Sequence, residues 1–280
     1  MIADNEANVL YLSHLTVSDY PSELKSLKEQ IEKQDYKVKT LKETDDYWCR
    51  DYMPIQISEN DFVQFVYRPT RYNKLDDIKF VSNPIIIELA NKLIQPRYSR
   101  IILDGGNIVK WKDKAIITDR IIDDNLFQFT NRNELIKQLE ADLKCRVIII
   151  PQYPGEKTGH ADGLIRFIDD DTVFINTTAD EPEKEWLRHF LTILSQNQLL
   201  HINLPCTVEP NQGDVTGLYI NYLQLGNLII VPVFGLNQDN IALQTMNEVF
   251  GNNKIIIPFK ANWIAKYGGV FNCISWCIKQ

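Results

Sequence analysis

Apolar positions along the chain fall into two rhythms, a three-to-four-residue spacing and short β-branched runs, and the two take turns. The spacing predicts a helix over residues 21–34, where Leu24, Leu27 and Ile31 share a face and Pro21 sits in the first turn. A second is predicted over 83–95, opening Asn-Pro and running Ile85, Leu89, Leu93; a third over 133–144, with Asn133 as cap before Leu135, Ile136, Leu139 and Leu143. A fourth, over 181–196, opens at Pro182 and carries Trp186, Leu187, Phe190 and Leu194. The fifth, over 237–250, carries Ile241, Ala242, Thr245, Met246 and Val249. With Ser22, Pro84, Asn133, Pro182 and Gln238 as markers, the starts lie 62, 49, 49 and 56 residues apart.

A short strand is predicted after each helix, at 38–41, 101–103, 147–150, 199–204 and 255–257. Ahead of the last four helices stand strand pairs, 54–58 with 62–67, 106–111 with 115–118, 163–168 with 172–176, and 219–225 with 227–233. Tight turns such as Asp169-Asp170-Asp171 and Gly226-Asn227 join them. Residues 9–12 and 269–278, from the two ends of the chain, complete a fifth pair. Five strand-strand-helix-strand modules in 280 residues average 56 each, and repetition at this period means a closed array or a stack. The expectation is an α/β protein, a five-bladed propeller with helices outside, forming one domain over residues 1–280.

Composition agrees with a globular chain: 44% hydrophobic and 24% charged residues. The net charge of −7 argues against nucleic acid or an anionic membrane as the main partner. No apolar run approaches a membrane span, and Asp4 and Glu6 in the first ten residues do not fit a signal peptide. Five cysteines, an odd count in a chain this long, do not form a disulfide framework. A cytoplasmic, reducing location is expected.

Polar residues recur where the inner strands begin. Asp51, Asp104, His160 with Asp162, Asn221 and Cys273 are separated by 53, 56, 61 and 52 residues, close to the module length. A radial array gathers equivalent strand ends around its axis, so these side chains are candidates for one central pocket. Each also has a plain structural reading. Arg50-Asp51 can be a structural pair, Asp104 before Gly-Gly is ordinary turn chemistry, Asn221 can cap a turn, and Cys273 can be a buried thiol. The sharpest signal is at 160–166, where a strand would put His160, Asp162, Leu164 and Arg166 on one face. No His or Cys pair has metal-ligand spacing, the Gly-Gly segment lacks a phosphate-loop continuation, and there is no Gly-x-Ser-x-Gly elbow. What remains is a thiol with a His and carboxylates.

Five ordered motifs then make a resemblance: Trp48-Cys49-Arg50-Asp51-Tyr52-Met53-Pro54, Asp104-Gly105-Gly106-Asn107, Gly159-His160-Ala161-Asp162 with Arg166-Phe167, Tyr219-Ile220-Asn221-Tyr222, and Gly268-Gly269-Val270-Phe271-Asn272-Cys273. From Trp48 to Cys273 the chain resembles the agmatine deiminase and Porphyromonas-type peptidylarginine deiminase family of the guanidine-modifying pentein superfamily. The resemblance implies a five-fold α/β propeller needing no metal or other cofactor. It implies Cys273 as nucleophile, His160 as general acid/base, Asp104 as its orienting carboxylate, Asp51 and Asp162 as the substrate clamp, and Asn221 as a positioning group. The implied partner is a small cationic guanidino compound, agmatine first, with Trp48 or Glu156 meeting its distal amine. Deimination of free or C-terminal arginine is an alternative, for which Arg166 or Lys157 would receive the carboxylate. An amidinotransferase and a non-catalytic binding module are the others. Two positions depart from the family: Asp104 stands where Glu is usual and Asn272 where His is usual.

Overall fold

The computed structural model describes residues 1–69, 79–176, 184–208 and 213–280. Fifteen strands among these form five three-stranded sheets. The first sheet begins with β1 (Val9–Ser13) and β2 (Lys37–Leu41), which run parallel. The second holds β3 (Ile55–Ser58), β4 (Asp61–Val66) and β5 (Arg97–Ile102), and the third β6 (Val109–Trp111), β7 (Lys114–Thr118) and β8 (Arg146–Ile150). The fourth holds β9 (Ile165–Phe167), β10 (Thr172–Asn176) and β11 (Leu200–Leu204). The fifth holds β12 (Leu223–Leu225), β13 (Leu228–Val233) and β14 (Ile255–Lys260). The C-terminal β15 (Ser275–Ile278) returns to lie antiparallel to β1, so the first sheet has the order β15-β1-β2.

Every sheet therefore repeats one unit, an antiparallel hairpin followed by a parallel crossover. In the first sheet the unit is assembled from both ends of the chain, with Leu10 opposite Cys277 and Leu12 opposite Ser275. The fold is the five-bladed α/β propeller that the repeat predicts, and it places the turns before β3, β6, β9, β12 and β15 in equivalent positions.

The helices cover the sheets from outside and bury one stripe each. Leu24, Leu27 and Ile31 of Pro21–Glu32 pack with Leu10 and Leu12. Leu135, Leu139 and Leu143 of Arg132–Leu143 pack with Ala115 and Ile117. Three details differ from the periodic reading. The cap of Arg132–Leu143 is Asn131, whose side chain accepts from the Asn133 N–H at 2.8 Å. In Pro84–Asn91 the buried apolar residue is Ile87, while Ile85 and Leu89 are 49% and 64% exposed. In Gln238–Phe250 the buried stripe is Ala242, Met246 and Phe250, with Ile241 outside. Lys184–Gln196 buries Phe190 and Leu194; its expected start at Pro182 lies outside the described residues.

Candidate active site

The inner strands do not begin as extended chain. Each is preceded by one helical turn: Cys49–Tyr52 before β3, Gly105–Asn107 before β6, Ala161–Gly163 before β9, Tyr219–Asn221 before β12, and a turn at 271–274 before β15. This corrects the face assigned to residues 160–166. A 3-10 turn rotates the chain by about a third of a revolution per residue, so the strict alternation of a strand does not carry through to Arg166.

The turns bring candidates from all five blades together. Asp51, His160, Asp162, Asn221 and Cys273 line one cavity of about 310 Å³, with Trp48 in its wall. The imidazole of His160 lies between two carboxylates, Nδ1 at 3.7 Å from Asp51 Oδ1 and Nε2 at 3.3 Å from Asp104 Oδ2. Asp104 thus reaches the ring despite its short arm. Asn221 Nδ2 donates to Cys273 Sγ at 3.2 Å, and its Oδ1 accepts from the N–H groups of Val270 and Cys273 at 3.1 and 3.3 Å. Cys273 Sγ lies 3.6 Å from Asp162 Oδ2. That oxygen also accepts from Asn272 Nδ2 at 2.6 Å and Asn221 Nδ2 at 3.4 Å.

Glycine is required where these groups crowd. A Cβ on Gly106 would stand 2.5 Å from His160 Nδ1 and 2.6 Å from Asp51 Oδ1, and the Gly106 N–H donates to that same Asp51 oxygen at 3.1 Å.

The electrostatics follow from burial and neighbours. Burial opposes the charge on His160, but Asp51, Asp104 and Asp162 outweigh it and push its pKa up to about 10. The imidazole is therefore a cation at neutral pH. Burial, then the carboxylates of Asp162 and Asp51, hold the Cys273 thiol well above its ordinary value, and the Asn221 hydrogen bond offsets this only in part. Two other cysteines differ in setting: burial raises Cys49 to about 12 and Cys277 to about 11, outside the cavity wall. Among the described residues, no group of three or more His, Cys, Asp or Glu side chains is arranged to hold a metal ion.

Arg166 does not join the cavity and is a correction to the expected substrate contacts. Its guanidinium donates to Asp4 Oδ2 and to the Tyr222 carbonyl, both at 3.0 Å, and lies 4.5 Å from the centre of the Tyr222 ring. Glu156 and Lys157 do stand in the wall. The Glu156 carboxylate is engaged within its own loop, accepting from the Thr158 hydroxyl at 2.9 Å and from the Gly159 N–H.

A polar axis behind the cavity was not read from the sequence. Gln56, Lys110, Arg166 and Gln224, from β3, β6, β9 and β12, are all buried. They are spaced 54, 56 and 58 residues apart. One polar residue inside each apolar inner strand, at the module period, is the signal that would have found them. Asp4 and Arg50 join this axis, and Asn272 links it to Asp162.

Comparison with known proteins bears on the fold and the family. The chain is 26% identical to a Mycoplasma mycoides protein provisionally named an agmatine deiminase, over 82% of this chain and 74% of that one. It is 28% identical to a similarly named Shewanella baltica protein, over 64% of this chain and 57% of that one, and so spans under two thirds of the latter's length. In fold it is similar to the agmatine deiminase of C. jejuni, with a TM-score of 0.80 at 18% identity, covering 100% of this chain and 96% of that one. The family model for Porphyromonas-type peptidyl-arginine deiminases matches residues 3–278. From Ala3 to Ile278 the chain belongs to the Porphyromonas-type peptidyl-arginine deiminase family.

Proposed function

We propose that residues 1–280 form one catalytic domain that hydrolyses a guanidino compound, agmatine first, to a ureido product and ammonia. The observation that carries this reading is the meeting of Cys273, His160, Asp51 and Asp162 at one cavity, with Asp104 against the His160 ring. A guanidinium is a planar fork of N–H donors that stays charged at neutral pH, and carboxylates on two sides suit it. Among the described residues the hydrogen bonds to Asp162 fall on Oδ2, which leaves Oδ1 for such a fork.

The bound cation offsets Asp51 and Asp162, which add to burial in keeping Cys273 protonated, so substrate itself favours the thiolate, whose proton leaves to bulk water and is taken up there by the released ammonia. The sulfur attacks the central guanidinium carbon and a C–S bond forms. His160, held as a cation by its three carboxylate neighbours, gives a proton to the departing nitrogen as the C–N bond breaks and ammonia leaves. The resulting thiouronium is attacked by water, whose proton passes to His160. The C–S bond then breaks, releasing the urea and regenerating the thiol. Asp104 keeps the imidazole in place, and Asn221 aims the sulfur.

Agmatine is favoured over arginine by the cavity's charge. Its wall carries Asp51, Asp162, Glu156 and Asp214, with Lys157 as the one non-catalytic cation among the described lining residues, and Arg166 is committed to Asp4. A distal ammonium meets acids and the Trp48 ring, while a distal carboxylate has Lys157 alone to meet. Ammonia release should be measured over agmatine, arginine, methylated arginines and a peptide ending in arginine, with glycine or ornithine added to detect amidino transfer. Agmatine is expected to give the highest kcat/KM, and Cys273→Ser no turnover. A preference for arginine substrates would overturn the substrate assignment, amidino transfer would overturn hydrolysis, and turnover by the serine variant would overturn the chemistry.

A further inference from the structure

Behind the cavity, three buried cations crowd around one acid. The side chains of Arg50, Lys110 and Arg166 are 6%, 5% and 5% exposed. Asp4, in the 3-10 turn Asp4–Glu6 ahead of β1, meets all three: Arg166 Nη2 at 3.0 Å, Lys110 Nζ at 3.5 Å and Arg50 Nη1 at 3.8 Å. Burial opposes ionisation of Asp4, yet Arg50, Lys110 and Arg166 together hold its carboxyl down to about 2. Burial lowers Lys110 in spite of Asp4. The groups border a small axial void of about 20 Å³, and Asp162 lines both this void and the large cavity. The clamp carboxylate thus separates the substrate pocket from a cationic cluster.

The connection is also geometric. Arg50 divides its fork, Nη1 facing Asp4 and Nη2 donating to Asn272 Oδ1 at 2.9 Å. Because the carbonyl of Asn272 must face that guanidinium, its amino group faces Asp162, which it reaches at 2.6 Å. A second Arg50 nitrogen, Nε, donates to the Asn272 carbonyl at 3.3 Å, and the Arg50 N–H donates to the Cys273 carbonyl at 3.2 Å. The residue that departs from the family pattern is thereby the link between the axial charges and the clamp.

We infer that Asp4 is a positioning residue for the reaction site, neutralising the Arg50–Lys110–Arg166 cluster so that Asp162 is left to pair with the substrate and holds its orientation through Arg50 and Asn272. Without Asp4, the cluster would hold Asp162 from behind in competition with an incoming guanidinium. It would also place uncompensated positive charge near the sulfur. The charged groups facing that sulfur include Asp51 and Asp162, with His160 beside Asp51, Asp104 at the other nitrogen of the His160 ring, and Arg50 across Asn272. Glu156, Lys157 and Asp214 stand in the cavity wall, where Tyr153, Tyr267 and Cys206 complete the titratable set.

This inference rests on the proposed site, and its test separates the two. The pH midpoint for alkylation of Cys273 by iodoacetamide, read by peptide mass spectrometry without substrate, should fall by about one unit in Asp4→Asn, since lost negative charge favours the thiolate. KM for agmatine should rise about tenfold, with a smaller change in kcat. Lys110→Met removes a cation instead and should move the midpoint upward. Asp4→Asn/Lys110→Met restores the balance and should return midpoint and KM toward wild type. A residue that only stabilised the fold would lower Tm in all three variants and leave the midpoint in place, which would overturn the inference. So would a double variant displaced as far as Asp4→Asn. If Asp4→Asn does not fold, the Lys110→Met shift and its cancellation in the double variant decide the matter. Shifted midpoints in a protein that turns over no guanidino compound would sustain this inference and sink the proposed function.

Discussion

At the scale of single residues, burial and a shared set of carboxylates decide the charge of both His160 and Cys273. The carboxylates that hold the imidazole protonated also hold the thiol protonated. In the proposed reaction the thiol is not ready for attack until a cation enters, which would tie that chemistry to occupancy by a guanidinium. The imidazole also couples the site to stability. Its folded-state pKa, about 10, lies above the ordinary 6.5. Its contribution is therefore fully present below pH 6.5 and is lost as pH rises from there through 10. Denaturant titrations of wild type and His160→Gln from pH 6 to 10 should show a stability gap that narrows with rising pH. A gap that stays constant or widens would contradict the assignment. Of the residues singled out from the sequence, Asp51, Asp104, His160, Asp162, Asn221 and Cys273 were legible because a blade repeat stamps its period on them. Arg166 was misplaced because the period gives a residue's blade and not its direction. The turn at Ala161–Gly163 decides that direction.

At the scale of elements, the helices show what periodicity can and cannot tell. Pro21–Glu32 and Arg132–Leu143 bury the stripes their spacing predicts, because their apolar residues occupy only one face. Pro84–Asn91 carries three consecutive isoleucines, so several faces are apolar and only packing picks Ile87. The difference is measurable. Leu139 is fully buried and Leu89 largely exposed. Leu139→Ala should cost about 2–5 kcal/mol of unfolding free energy, and Leu89→Ala less than about 0.5 kcal/mol. Chemical denaturation reads both, and equal losses would show that the stripe is misassigned. The single turns before the inner strands were not legible, since short segments such as Gly105–Asn107 and Tyr219–Asn221 carry no repeat of their own. They matter most for the site, because they turn Asp51, His160 and Asn221 toward the axis.

At the scale of the whole molecule, the site exists because the ring closes. β15 begins just past Cys273 and pairs with β1, only a few residues beyond Asp4, so Cys273 and the axial acid are fixed by the same closure. Closure was legible from the incomplete modules at the two ends. The polar residues of the axis carry the module period, but the place of Asp4 among them was not legible, because Asp4 and Arg166 lie 162 residues apart and nothing local marks them as partners. Among the described residues no helix is long and apolar enough to cross a membrane. The claim that joins these scales is that axial convergence makes Cys273 a nucleophile toward a guanidinium carbon. Acid-quenching the protein during turnover of agmatine, then weighing the peptide that contains Cys273 by mass spectrometry, tests it most directly. An N-(4-aminobutyl)amidino adduct on Cys273 is expected to accumulate during turnover and to be gone when agmatine is exhausted. Steady ammonia release with Cys273 unmodified at every quench time would contradict it.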